Sequence, residues 1–259
     1  MLVLLPPSES KCAPRGSGAA VHLPSLSFPG LTGMRQCVLD ALIAAADRPD
    51  AIALLGVGPS LAAEVTRNAR LRELPAVPAH EMYTGVLYDA LGWATLPAAA
   101  RRRGASRVVI ASALWGALRP DDLVPPYRLS IGTALPGVGP LARAWREVLG
   151  PELSAAAGPR GLVVDCRSGA YAAAWTPAGA LAARTVGVRV LREHDGHRTV
   201  VSHLAKHARG EVVRHLLVTG DDPRTPAELA EALAPRWTAE LRAPQRPGRP
   251  WTVDVVLPH

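Results

Sequence analysis

The chain has 259 residues, 48% of them hydrophobic, so it can bury an ordinary core; disorder is excluded, and one large domain or a domain with an appended lobe is expected. A formal charge of +7 and a pI near 10.0 make the surface attractive to phosphates, nucleic acids or acidic partners. No run of about 18 apolar residues is present to cross a membrane and no basic-then-apolar leader opens the chain, while three scattered cysteines (Cys12, Cys37, Cys166) suit a reducing cytoplasm rather than a disulfide framework.

In chain order, "MLVLL" reads as a short buried strand that runs into the polar turn "PPSESK". Residues 13–33, rich in Gly, Pro and Ser, read as irregular loop, and from Met34 to Ala46 apolar residues recur at helical spacing. "ALLGVGPSLAAEVTRN" spells a helix end, a tight glycine turn and a second helix. "RVVIASAL" (107–114) is a strand, followed by the loop "WGALRPDDLVPPYR"; "RLSIGTAL" reads as a further strand and "LARAWREVL" as an amphipathic helix. "GLVVDC" (161–166) is a strand that opens onto "RSGAY". "ARTVGVRVLRE" and "HRTVVSHL" flank the hairpin signal "HDG", and the second run leads into a helix from His203 to Val218. "TPAELAEAL" starts with an N-cap and makes a helix, and "APQRPGRPW" is an irregular linker before the last strand, "WTVDVVL". The expectation is a mixed α/β chain: one domain over 1–259, a mixed β-sheet with surrounding helices, and a mainly helical lobe at about 34–104.

Composition also points to particular residues. A chain this rich in Ala, Gly, Arg and Pro carries the bias of a GC-rich coding sequence, so part of its arginine excess reflects that bias. Of 29 basic residues only Lys11 and Lys206 are lysine. Arginine is planar and permanently charged, whereas lysine is a compact ammonium whose pKa falls on burial, so a surviving lysine points to a place where arginine fails, with chance survival as the alternative. The four tyrosines, Tyr83, Tyr88, Tyr127 and Tyr171, are rare markers in the same sense.

Ser8, Glu9 and Lys11 put a hydroxyl, a carboxylate and an ammonium directly after a strand, where α/β proteins place sites; a solvated turn is the alternative. "MYTGVLYDAL" (82–91) and "SALWGALRPDDLVPPYRLSIGT" (112–133) gather aromatics, glycines and charges. Within them Arg119, Asp121, Asp122 and Arg128 suit either ion pairs in a folded loop or bidentate arginine contacts to a polar ligand. "LLGVGPSLA" (54–62) and "LPGVGPLARA" (135–144) fit a glycine hairpin that bares backbone N–H groups to a DNA phosphate, the first better than the second. His203 and His207 have metal-pair spacing, but no Asp, Glu or Cys completes a set in sequence, so solvated or capping histidines are expected and no metal. Cys12 beside Lys11 is a quiet thiol or an oxidant sensor. No Walker loop, nucleophile elbow or Cys-x-x-Cys is present.

Taken in order, "LLPPSESK", "YTGVLYDAL", "SALWGALRPDDLVPPYRLSIGT", "LARAWREVL" and "VVSHLAKHARGEVVRHLL" resemble the YaaA family of peroxide stress resistance proteins over nearly the whole chain. The resemblance implies a cytoplasmic protein with one unusual α/β fold containing a helix-hairpin-helix-like element. It also implies DNA binding and protection against peroxide by limiting free iron and the damage it causes, and it attaches no firm catalytic reaction. The chain departs from the family at Lys206–His207, where two adjacent lysines are common, and at "DCRSGAY", where a Glu before Tyr171 is lost; residues 13–80 are shorter and more divergent.

Two functions follow. One is a DNA-binding stress protein that uses its arginines and the first hairpin through Gly56, Gly58, Ser60 and Arg67. The other is an enzyme or small-molecule binder for an anionic or nucleotide-like substrate, possessing no named cofactor. Its site draws on Ser8, Glu9, Lys11, Tyr83, Thr84, Tyr88, Arg119, Asp122, Tyr127, Arg128, Lys206 and Arg209, with Lys11, Lys206, Tyr83 and Tyr127 as candidate catalytic groups. A third reading is structural: Lys206 lies along its helix and pairs with an acid.

Overall fold

A computed structural model describes residues 1–12, 18–194, 197–200 and 202–257. Eight strands form the main sheet: β1 (Leu2–Leu5), β2 (Val108–Ser112), β3 (Gly116–Leu118), β4 (Val163–Asp165), β5 (Thr185–His194), β6 (His197–Val200), β7 (Thr238–Arg242) and β8 (Trp251–Leu257). Their order is β7-β8-β5-β4-β1-β2-β3, with β6 paired to the far end of β5. The five inner strands β8, β5, β4, β1 and β2 run parallel, and β7, β3 and β6 are antiparallel to their neighbours.

Burial explains the pattern of residues. All four residues of β1 are buried, as a strand covered on both faces requires, so "LVLL" does not alternate. Its register places Leu4 beside Val109 on one side and Asp165 on the other. β5 is longer and reaches the sheet's margin, where buried valines alternate with Arg189 and Gly187.

Eleven helices surround the sheet among the described residues. Those of the first half are α1 (Thr32–Ala46), α2 (Ala51–Leu54), α3 (Ala62–Asn68), α4 (Ala79–Met82), α5 (Val86–Leu91) and α6 (Ala98–Arg107). Then follow α7 (Leu141–Ala157), α8 (Gly169–Ala172), α9 (Gly179–Ala183), α10 (Ser202–Thr219) and α11 (Pro226–Leu233). In α7, Leu141, Trp145, Leu149 and Leu153 fall four residues apart and form one buried stripe. α11 begins at an N-cap, with the Thr225 hydroxyl accepting from the Glu228 N–H at 3.2 Å.

α10 lies on α5, and Gly210 is the reason the two can touch. A Cβ at Gly210 would overlap the Leu87 carbonyl oxygen and come within 2.9 Å of Ala90 Cβ. The neighbouring Ala208 is buried, and Arg209 donates through Nε and Nη2 to the Val188 carbonyl of β5 at 3.1 and 2.9 Å. The "ARG" of the late motif thus packs a helix against both α5 and the sheet.

Some sequence expectations need adjusting. "RLSIGTAL" is not a strand, apart from Ala134–Leu135 pairing with Gly139–Pro140. Ser130 closes a turn of its own there: its carbonyl accepts from Thr133 N–H at 3.1 Å and its hydroxyl from Gly132 N–H at 3.3 Å. The first helix begins at Thr32, two residues early, and the loop before it holds two short 3₁₀ turns, Leu23–Ser25 and Pro29–Leu31. The turn of the "HDG" hairpin lies outside the described residues, although the strands on either side pair as expected.

Candidate functional site at the sheet's carboxyl edge

The loops after β1 and β4 leave the sheet at adjacent positions and then run to opposite sides: β1 continues towards β2, and β4 towards β5. In an open parallel sheet, such a switch point leaves a crevice at the carboxyl ends of the strands. Into this crevice turn "PPSESK" after β1, Ser112 at the end of β2, and Cys166–Tyr171 after β4.

The "PPSESK" strap is held against "MYTG". Lys11 and Tyr83 form an antiparallel bridge, Cys12 N–H donates to the Met82 carbonyl at 2.8 Å, and Thr84 N–H to the Ser10 carbonyl at 3.3 Å. Gly85 completes the fit. Its φ of +97° disfavours any side chain, and a Cβ there would stand 3.2 Å from Ser8 Oγ. The Tyr88 hydroxyl donates to the Pro6 carbonyl at 2.7 Å and fixes the start of the strap.

Beneath the strap is a stack of phenols. Tyr83 and Tyr88 rings stack with centroids 5.5 Å apart; the hydroxyls of Tyr83 and Tyr127 lie 3.0 Å apart, and that of Tyr127 lies 2.7 Å from Ser112 Oγ. Ser112 Oγ also accepts from the Trp115 N–H at 3.0 Å. Burial holds all four phenols protonated by raising their pKa values, and for Tyr171 the proximity of Tyr127 and of the Glu9 carboxylate adds to the shift. These groups exchange hydrogen bonds and do not serve as bases at neutral pH.

Lys11 sits over this cup, its Nζ 4.5 Å from the Tyr127 ring centroid and 5.6 Å from that of Tyr83. It donates to the Ser8 carbonyl at 2.8 Å and, more weakly, to the Glu9 carbonyl at 3.5 Å. Burial lowers its pKa from 10.5 to about 8; the charge of Glu9 opposes the shift, that of Arg128 adds to it, and that of Glu64 opposes it. About a tenth of the amine is then neutral at pH 7, which gives this lysine a lone pair that an ordinary one lacks. Among the described residues no carboxylate lies within ion-pair distance of Lys11 Nζ.

Arg128 takes the nearby carboxylates instead, with Nη2 2.7 Å from Glu9 Oε2 and Nη1 3.8 Å from Glu64 Oε2. Its backbone is clamped by the buried Asn68 side chain, which accepts from Arg128 N–H at 2.9 Å and donates to its carbonyl at 2.8 Å. On the β4 side, Arg167 forms a two-pronged pair with Asp165 at 2.9 and 2.8 Å and donates to the Trp175 carbonyl at 2.9 Å.

The structure therefore brings together Ser8, Glu9, Lys11, Tyr83, Thr84, Tyr88, Tyr127 and Arg128. It sets the other candidates apart. Arg119 donates to the Val108 carbonyl at the start of β2, about 13 Å along the strand from Ser112. Asp122 accepts from the N–H and hydroxyl of Ser27 and from the Arg119 N–H, at 2.8–2.9 Å, which folds the loop. Arg209 is engaged with β5, as described. Lys206 is exposed on α10 and makes no ion pair or hydrogen bond with the described residues.

At the hairpin, Gly56 has φ +63° after α2, and Gly58 precedes a 3₁₀ turn (Pro59–Leu61) that leads into α3. Ser60 is exposed there, and Arg67 makes no ion pair with the described residues, whereas Arg48, Arg70 and Arg72 pair with Asp50, Glu73 and Asp40. His207 lies 3.3 Å from Glu211 on α10, and the His203 side chain is outside the described set. Cys166 is buried and its thiol is pushed up to about 12, by burial first. No cluster of three or more metal-ligating side chains occurs among the described residues, and no described helix is long and apolar enough to cross a membrane.

Sequence reasoning passed over Ser112, Asn68, Arg167 and Asp165. Ser112 and Asp165 each close an apolar strand, Arg167 follows the second of these strands and Asn68 ends α3, positions that only the fold brings to one region.

The chain was compared with known proteins. The family profile described as "Peroxide stress protein YaaA" matches residues 1–239. The chain belongs to the YaaA family. Among its YaaA-type relatives, a UPF0246 protein of Streptomyces coelicolor is 51% identical over 260 residues, covering 99% of this chain and 98% of the relative. A UPF0246 protein of Corynebacterium efficiens is 42% identical over 99% of this chain and 100% of its own length. A more distant UPF0246 protein, of Cereibacter sphaeroides, is 36% identical over 61% of this chain and 64% of its own. Every residue of the Lys11 cup falls within the span matched by the YaaA profile.

Proposed function

We propose that this protein serves the peroxide-stress response through a small-molecule site centred on Lys11, which takes an anionic, nucleotide-like ligand. The observation that supports this is the state of Lys11. Its ammonium is largely withdrawn from water, is held by two carbonyls and two ring faces, and among the described residues has no carboxylate within ion-pair distance. A desolvated cation with no counter-ion is costly to the fold, and an anion arriving at Nζ recovers that cost. The Arg128–Glu9 pair closes one side.

The test is survival in hydrogen peroxide of cells that lack their own family member and express this chain. Lys11→Met removes the charge and keeps the length of the side chain, so the variant folds at least as well as the native protein. It is expected to give no protection, whereas Lys206→Arg protects fully. Full protection by Lys11→Met refutes the reading.

A second reading has its own observation. The Gly56–Gly58 hairpin lies open, with nothing within 4 Å of a Cβ placed at Gly56, and Arg67 follows on α3. With the net charge of +7, this supports sequence-tolerant contact with DNA phosphates. On this reading the protein limits iron-dependent damage where it matters, on DNA. Affinity for duplex DNA across a salt series tests it: binding weakens with salt, and Arg67→Gln reduces the log–log slope by about 0.9, the contribution of one phosphate contact. No binding at low salt, or a salt-independent signal, rules it out.

A further inference from the structure

Beside the Tyr83–Tyr88 pair lies a concavity of about 810 Å³, lined from α4, α5, α6, β1 and β2. That is the size range of sites for small organic molecules. Its base is apolar, made of Leu5, Val108 and Ile110. Its walls are aromatic: the His80 ring stacks on Trp93 with centroids 5.1 Å apart and an interplanar angle of 19°, and Tyr83 and Tyr88 form a second parallel pair.

The wall carrying Trp93 is built rigidly. Arg214 reaches from α10 and donates through Nη1 to the carbonyls of Leu91 and Gly92 at 2.9 and 3.0 Å. Gly92 takes φ +57°, and a Cβ there would stand 2.9 Å from Arg214 Nη1. Gly104 on α6 lets the indole pack closely, since a Cβ would come within 2.7 Å of Trp93. A wall held this way needs little ordering when a ligand arrives, which favours affinity.

The rim is polarised. Arg101 and Arg102 stand on α6, and Glu81 and Asp89 stand on α4 and α5. All four are exposed, and among the described residues none makes an ion pair. On the same lining Asp121 Oδ1 lies 3.6 Å from His80 Nε2, so among the described residues the two arginines and the two carboxylates are the rim charges left without an ion-pair partner.

We propose that this concavity is a binding site for a planar aromatic compound that bears both an ammonium and a carboxylate. The ring enters between the two aromatic walls, the carboxylate meets Arg101 and Arg102, and the ammonium meets Glu81 and Asp89. The proposal does not depend on the Lys11 reading, because none of these four charges belongs to the Lys11 cup.

Calorimetric titration with four probes tests it: L-tryptophan, tryptamine, indole-3-propionate and indole. Tryptophan is expected to bind at least tenfold more tightly than either singly charged probe, and indole most weakly. Arg101→Gln/Arg102→Gln, both at exposed positions, should remove the advantage of tryptophan over tryptamine and leave unfolding unchanged. Ala105→Trp, which places a side chain into the concavity from α6, should abolish binding of all four. Indole binding as tightly as tryptophan, no tryptophan binding at millimolar concentration, or retained binding in Ala105→Trp overturns the proposal. Lys11→Met should leave all four titrations unchanged, so failure here and failure of the Lys11 reading are told apart.

Discussion

Gly210→Ala offers a sharp test of how α10 is seated. The added methyl would meet the Leu87 carbonyl oxygen, Ala90 Cβ at 2.9 Å and the Leu87 carbonyl carbon at 3.1 Å, where Cβ atoms essentially never approach closer than 3.0 Å. Two of these three atoms are backbone, so no side-chain rotation relieves the clash and the helices must separate. Overpacking of this kind costs about 1–3 kcal/mol, and a backbone clash belongs at the upper end. Alanine recovers about 1 kcal/mol of helix propensity over glycine. The difference is a net loss of about 2 kcal/mol, or a fall in Tm of about 4–8 °C for a chain of this size. Thermal unfolding followed by far-UV circular dichroism measures it. Gly33→Ala is the control: it lies within α1 with nothing within 4 Å of its Cβ, so it should raise Tm slightly. A Gly210→Ala variant as stable as the native protein would refute the packing argument and, with it, the structural account of the "ARG" motif.

Other perturbations have defined outcomes. Thr225→Ala removes the N-cap of α11 and should cost about 1 kcal/mol in urea unfolding. Asp254 is buried in β8; burial alone would raise its pKa, but hydrogen bonds from Arg189 and Arg242 outweigh this and hold it below the usual carboxylate value. Its stabilisation is therefore present above about pH 4 and lost as pH falls through the lower folded value. Asp254→Asn should cost about 2 kcal/mol at pH 7 and flatten that acid limb of the stability curve. Lys11 has the opposite sign to a paired lysine. Its folded pKa of about 8 lies below the unfolded 10.5, so the unfolded chain binds more protons between those values and stability rises with pH. The stability of native protein minus that of Lys11→Met should climb from pH 8 to 9; a flat difference contradicts the burial of Lys11.

Much of the fold was legible because each element carries its own signal. "LVLL" and "VVIA" are continuous apolar runs of strand length, and "TPAEL" announces its helix by a cap. The failure at "RLSIGTAL" is equally local, because Ser130 and Gly132 supply a turn that competes with strand pairing. The site was legible in blocks. "PPSESK", "YTG" and "PPYR" each combine glycine or proline with an aromatic or a charge, and they meet at one crevice. Sequence does not show which charges inside a block face that crevice. Arg119 and Asp122 are in the same loop as Tyr127, yet they are spent on backbone groups and on Ser27. Rarity alone does not report environment either: one lysine lies in a tyrosine cup and the other in solvent.

Burial of the Lys11 amine is directly measurable, because Lys206 is the one other lysine in the chain. Trace acetylation of the folded protein across pH 6 to 11, with peptide mass spectrometry, reads Lys11 separately from Lys206 and the N-terminus. The midpoint for Lys11 reactivity is expected near pH 8. A midpoint at 10.5 or above, the ordinary value for lysine, would contradict it.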